Sequence, residues 1–110
     1  MAVQVILQQA GPLDIQATFE APGDEPMYLE VNGSVWSQSE NVVIGIGVSI
    51  DGQEVGHARI YSNGSATHRT VVPVYIPIQL SEGQHTLSLF PDTPQTVSDS
   101  NDFYTVVIHY

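Results

Sequence analysis

No cysteine and no lysine occur in this chain of 110 residues, and its only basic side chains are Arg59 and Arg69. Without cysteine there is no disulfide and no zinc–thiolate centre; any compartment stays open, but a small disulfide-stapled scaffold is disfavoured. Twelve acidic residues face those two arginines, giving a formal net charge of −10. Nucleic acid needs a positive surface, so that class of partner is excluded. Anionic membranes are disfavoured for the same reason, and no apolar run is long enough to insert in one. A basic-then-apolar leader is missing as well. So are G-x-S-x-G, H-E-x-x-H, a glycine-rich phosphate loop and a cysteine nucleophile, and the chain reads as non-enzymatic. Paired carboxylates for glycoside hydrolysis are defined by spatial separation, on which sequence is silent. No segment of useful length has helical period, no stretch repeats, and no linker divides the chain, so residues 1–110 read as one domain.

What is present is strand. In Val71–Leu89, the residues Val72, Val74, Ile76, Ile78 and Leu80 share one parity and should face a core. Pro73 and Pro77 on the other parity remove two N–H donors from one side, which marks an edge strand. Ser81–Gln84 forms a turn, after which Leu87 and Leu89 face inward; a four-residue loop suits direct pairing of the two strands. Val3, Val5 and Leu7 form a first inward row, and Leu13, Ile15, Ala17 and Phe19 a second. Met27, Leu29, Val31 and Val35 alternate with Tyr28, Glu30, Asn32, Ser34 and Trp36, with Gly33 marking a bulge or a close approach.

Val42, Ile44, Ile46, Val48 and Ile50 follow, opposite Val43, Gly45, Gly47 and Ser49. Asp51-Gly52 is a two-residue hairpin signal. Strict pairing from that turn would bury Arg59, and an unpaired guanidinium in a core costs too much. A one-residue bulge near Gly56 repairs the register, turning Val55, Ala58 and Ile60 inward and His57, Arg59 and Tyr61 outward. Phe90–Asp102 reads as a loop and Phe103–Tyr110 as the last strand, with Tyr104, Val106, Ile108 and Tyr110 inward. The expected fold is all-β: a two-sheet antiparallel sandwich of jelly-roll type with about eight strands. An immunoglobulin-like sandwich lacks its Cys and Trp pattern here.

Three constellations could carry chemistry. Gly45 and Gly47 would leave bare backbone beside His57, Arg59 and Tyr61, with Trp36 and Tyr28 outward on their own strand. Something flat could lie on that strip: a sugar ring, an aromatic side chain or a neighbouring subunit. Aromatic faces with Arg and His donors suit a carbohydrate; alternatively Trp36 packs under a loop and the glycines only relieve crowding. Asp99, Asn101 and Asp102 set oxygen ligands close together, as calcium requires, although such residues also satisfy turn amides. His57, His68, His85 and His109 have no recognised metal spacing and read as surface or half-buried side chains, a His57–His68 pairing being the one conceivable combination. The triplets Asn32-Gly33-Ser34 and Asn63-Gly64-Ser65 match a glycosylation pattern that arises often by chance.

Four stretches, MYLEVNGSVW, VVIGIGVSIDGQEVGHARI, IPIQLSEGQHTLSLF and SNDFYTVVI, together resemble the jelly-roll carbohydrate-binding modules with a galactose-binding-like fold. The resemblance spans Met27 to Tyr110 and is one of strand and turn pattern. It implies a carbohydrate partner, a structural calcium, and Trp36, Tyr61, Asn101 and Asp102 as matching residues; an extracellular or virion-associated setting is expected over a cytoplasmic one. The chain departs from the family in a shorter start and in lacking an N-terminal acidic calcium pattern. The same strands also resemble the heads of C1q-like and tumour-necrosis-factor-like proteins and phage tail or capsid decorations. That alternative implies a homo-oligomer with Tyr75, Val43 and the Gly45/Gly47 strip at the subunit interface.

Overall fold

Alternation of apolar and polar residues resolves into nine strands in the computed structural model, which describes residues 2–110. They are β1 (Val3–Ala10), β2 (Ile15–Ala21), β3 (Met27–Val35), β4 (Val42–Ile50), β5 (Gln53–Ser62), β6 (Arg69–Thr70), β7 (Val74–Ile78), β8 (Gly83–Pro91) and β9 (Phe103–His109). One sheet has the order β1-β9-β3-β6 with β7 also on β3; the other has the order β2-β8-β4-β5. All pairings are antiparallel. The result is the expected two-sheet antiparallel β-sandwich. No helix among the described residues is long and apolar enough to cross a membrane.

The core lies between the sheets. Leu29 and Val31 of β3 and Tyr104, Val106 and Ile108 of β9 meet Ile44, Ile46 and Val48 of β4 and Leu87 and Leu89 of β8, all fully buried. Burying each large aliphatic side chain contributes about 1.5–3 kcal/mol, which makes these rows the main source of stability.

The ninth strand comes from the edge of β3. β6 pairs there at Ser34 and Val35, and β7 pairs at Met27–Val31, so the two are halves of one interrupted edge strand. Between them the Val71 amide donates to the Gly33 carbonyl at 2.9 Å, and the Val72 amide donates to the Arg59 carbonyl of the other sheet at 3.0 Å. That crossing shifts side-chain parity: Val71 is buried and Val72 is exposed, the reverse of the expectation for this residue pair. Pro73 and Pro77 do belong to an edge, since among the described residues β7 pairs with β3 alone. β7 and β8 do not pair with each other, because the chain changes sheet between them. Gly83 opens β8 at φ +125°, where a side chain would be strained.

Two further departures follow from irregularities. A bulge between Val5 and Leu7 breaks the parity of β1, leaving Val3 and Val5 exposed and Leu7 buried. Tyr110 lies just past β9 and is exposed, although its amide and carbonyl bond to Ala2. The β4–β5 register shifts between Val48 and Ser49, with Val48 opposite Gly56 and Ser49 opposite Glu54, so Val55 is the extra residue. The bulge expected from the cost of burying Arg59 is therefore present, with Asp51 and Gly52 at φ +53° and +82° in the turn.

Candidate functional site

The bulge turns His57, Arg59 and Tyr61 to the outer face of the four-stranded sheet, opposite Gly47, Gly45 and Val43 of β4. The glycine strip between β5 and β8 is not open to a ligand: of the flat groups expected there, an aromatic side chain of the protein itself occupies it. β8 extends to Pro91, which puts Phe90 in the sheet opposite Gly47 rather than in a loop. A Cβ on Gly47 would clash with the edge atoms Cε2 and Cζ of the Phe90 ring, and one on Gly45 would lie 2.5 Å from the Ala58 carbonyl and 2.8 Å from Arg59 Cγ. Both glycines are buried, and their missing side chains let a ring and an arginine stem lie flat against the backbone.

The residues above that floor are held in place. The Arg59 guanidinium pairs through Nε with Asp92, whose carboxylate is almost wholly covered. The same bond, ahead of all other influences, raises the Arg59 pKa. The Asp92 amide donates to the Gly45 carbonyl at 3.0 Å, which ties the loop after β8 to the floor. Tyr61 donates from its hydroxyl to Asn41 Oδ1 at 2.9 Å while the ring remains 56% exposed. The outer row of β5 thus presents a ring, a fixed cation and the exposed His57 at two-residue spacing, about 7 Å apart. Ligand atoms of Glu54, His57 and Asp92 also come within 4.8 Å of one another.

Trp36 does not join this row. It follows β3 in the other sheet, bridges Val97, and packs against His68 with ring centroids 5.8 Å apart. Its indole N–H is buried with no acceptor among the described residues. Trp36 therefore forms part of the wall around a polar centre built on Asp102.

Asp102 is fully buried. Its Oδ1 accepts from Ser34 Oγ at 2.7 Å and lies 2.7 Å from His68 Nδ1, and its Oδ2 accepts from the Asp99 amide at 2.9 Å. The hydrogen bond to Asp102 raises the His68 pKa. Beside it, burial pushes the Tyr104 phenol up to about 12. His68, Asp99 and Asp102 hold ligand atoms within 4.8 Å of one another, a grouping of which acidic residues could make a cation site. The expected calcium trio fits less well. Calcium takes six to eight oxygens in a loose shell, whereas both Asp102 oxygens already accept protein hydrogen bonds. Asp99 Oδ1 accepts from the Asn101 amide at 2.8 Å, so Asn101 enters this loop through its backbone. The loop uses its carboxylates to satisfy its own amides, the alternative raised for these residues.

A search of the solved structures places this architecture. The C-terminal domain of EclA, described as a sugar-binding protein, superposes with a TM-score of 0.52 at 12% identity over 99% of this chain and 79% of that one. The sandwich is shared with a sugar-binding domain. Weaker likenesses are to the CBM36-1 domain of a multidomain xylanase from the hindgut metagenome of Trinervitermes trinervoides (TM-score 0.46, 14% identity, 94% of this chain and 76% of that one) and to a carbohydrate-binding module CBM36 in complex with calcium and xylotriose (TM-score 0.45, 15% identity, 99% and 87%). No family model matches the sequence, and no curated protein matches it.

The subunit strip expected from Tyr75, Val43, Gly45 and Gly47 is not one surface. Val43 projects from the four-stranded sheet and Tyr75 from the five-stranded sheet, and the glycines are covered. Sequence reasoning missed three residues that shape these sites: His68 as the partner of Asp102, Phe90 as the lid of Gly47, and Asp92 as the anchor of Arg59. The one available signal was Gly47 itself, since a glycine inside a strand marks close approach.

Proposed function

We propose that this chain is a carbohydrate-binding module with no catalytic activity, and that Tyr61, Arg59 and His57 contact the sugar. The observation that carries the reading is the exposed Tyr61 ring beside an arginine already immobilised by Asp92. A pyranose presents a C–H face that stacks on such a ring and hydroxyls that accept from a fixed guanidinium. Because Arg59 is held before binding, little side-chain entropy is lost on contact. The shared sandwich supports the class of ligand only as background, since folds host many functions. Gly45 and Gly47 contribute by keeping the floor flat rather than by touching the sugar. We also propose that binding needs no calcium at Asp99, Asn101 and Asp102, because the Asp102 oxygens are committed within the protein.

A glycan array identifies the sugar, and titration of the best binder then tests the site. Tyr61→Ala should weaken binding about 10-fold or more, the loss expected of one stacking contact, with the unfolding midpoint unchanged. Chelation with EDTA should leave affinity as it was. Full affinity in Tyr61→Ala and Arg59→Ala together would remove this face from consideration.

A further inference from the structure

On the opposite side of the sandwich, the outer face of the five-stranded sheet carries a second aromatic cluster. Tyr28 of β3 lies between His109 of β9 and Pro77 of β7, and Glu30 lies between Val107 and Tyr75 in the next row. Tyr28, Tyr75 and Tyr110 are all exposed. A cleft of about 350 Å³ is lined by Pro26, Tyr28, His109 and Tyr110. The His109 ring meets Tyr75 edge-on at 5.6 Å, and its Nε2 lies 2.8 Å from Glu30 Oε1. Glu30 thus reaches the cleft through its bond to the lining residue His109, and the exposed acids Asp24 and Glu25 immediately precede the lining residue Pro26 in the chain. Neither arginine is here: Arg59 pairs with Asp92 on the other sheet, and Arg69 donates to Asn63.

We propose that this cleft binds an organic cation, specifically a quaternary or methylated ammonium group. Aromatic faces attract such a group through their quadrupoles, and methyl groups make its desolvation cheap. The carboxylates supply the complementary charge, and the net charge of −10 raises the local concentration of cations. A ligand made only of hydroxyls could stack on the rings and donate to the acids but would bring no positive charge to them. The site is separate from the β5 row proposed for sugar, so either can fail without the other.

The test is a titration of the ¹⁵N-labelled chain with choline, followed by amide shifts, against 3,3-dimethylbutan-1-ol, the neutral isostere of choline. Choline should give saturable shifts at Tyr28, Glu30, Tyr75 and His109, and the neutral alcohol should bind at least about 10-fold more weakly. Tyr28→Ala should abolish the choline shifts and Tyr28→Phe should keep them, with both spectra otherwise those of the folded chain. Equal binding of the two compounds overturns the proposal, as do absent or unsaturable shifts. It is also overturned if a xylo-oligosaccharide moves the same amides, or if dilution shows the face buried between two copies of the chain.

Discussion

His68 Nδ1 lies 2.7 Å from Oδ1 of Asp102, a carboxylate with no solvent exposure, across a sequence separation of 34 residues. Ser34 Oγ and the Asp99 amide complete the arrangement, so one side chain joins β3, the loop before β6 and the loop before β9. Asp102→Ala should therefore destabilise the fold by about 3 kcal/mol, since it strands several donors in a covered position. Urea unfolding measures this, with the slope m unchanged if the native contacts elsewhere persist. A loss near zero would show that water replaces the carboxylate without cost.

Phe90 and Gly47 should be energetically coupled. Gly47→Ala alone is expected to cost about 1–3 kcal/mol, because the new methyl displaces the ring that lies on the strand. In a Phe90→Ala background the same change should cost much less. A double-mutant cycle reads the difference, and a coupling below about 0.5 kcal/mol would mean that the ring does not need the glycine.

Gly33→Ala should be more damaging. The added Cβ would stand 2.5 Å from Tyr104 Cδ1, 2.9 Å from the Phe103 carbonyl and 3.0 Å from Ile46 Cδ1. Tyr104 and Ile46 are fully buried and the carbonyl is backbone, so none of the three can swing into solvent. A loss of roughly 3 kcal/mol or more is expected, and a thermal melt of the variant checks it.

The His85 ring ties the β4–β5 turn to the loop before β8. Its Nδ1 lies 2.5 Å from Asp51 Oδ2 and its Nε2 lies 2.7 Å from the Ser81 carbonyl. Both partners only accept, so the two contacts are both hydrogen bonds when both ring nitrogens donate, that is, in the imidazolium form. Its pKa is raised above the ordinary 6.5, first by the bond to Asp51 and then by that to Ser81. The Asp51 pKa is lowered from 3.8, chiefly by the same bond. The His85 contribution is complete below its unfolded value and fades as pH rises through the raised one; that of Asp51 is complete above its unfolded value and fades as pH falls through the lowered one. The pair should stabilise most between pH 3.8 and 6.5. His85→Gln should thus cost more at about pH 5 than at about pH 9 in denaturant unfolding, and an equal cost at both would refute the charged ring.

Much of the sandwich is legible in the residues because parity is a local property. The inward rows Met27–Val31, Ile44–Ile50, Leu87–Leu89 and Tyr104–Ile108 all reach the core, as alternation requires. The β5 bulge was legible for an energetic reason, since an arginine would otherwise be buried without a partner. Parity failed where the ladder was irregular: at the β1 bulge, and at Val72, whose amide leaves its own sheet for Arg59.

The sequence by itself determined which face of the regular strands turns inward, where the tight turn falls, and that Arg59 and Tyr61 point outward. Each follows from a side chain's own chemistry and the two-residue strand period. Only the tertiary structure decided what those outward residues meet. Alternation says that Gly47 faces away from the core but not that Phe90 of β8, its cross-strand partner, lies across it. It places two aspartates in one loop but not the histidine and serine, 34 and 68 residues away, that take up Asp102. Those contacts depend on strand order within the sheets, and strand order is set by summed long-range packing that no local period encodes.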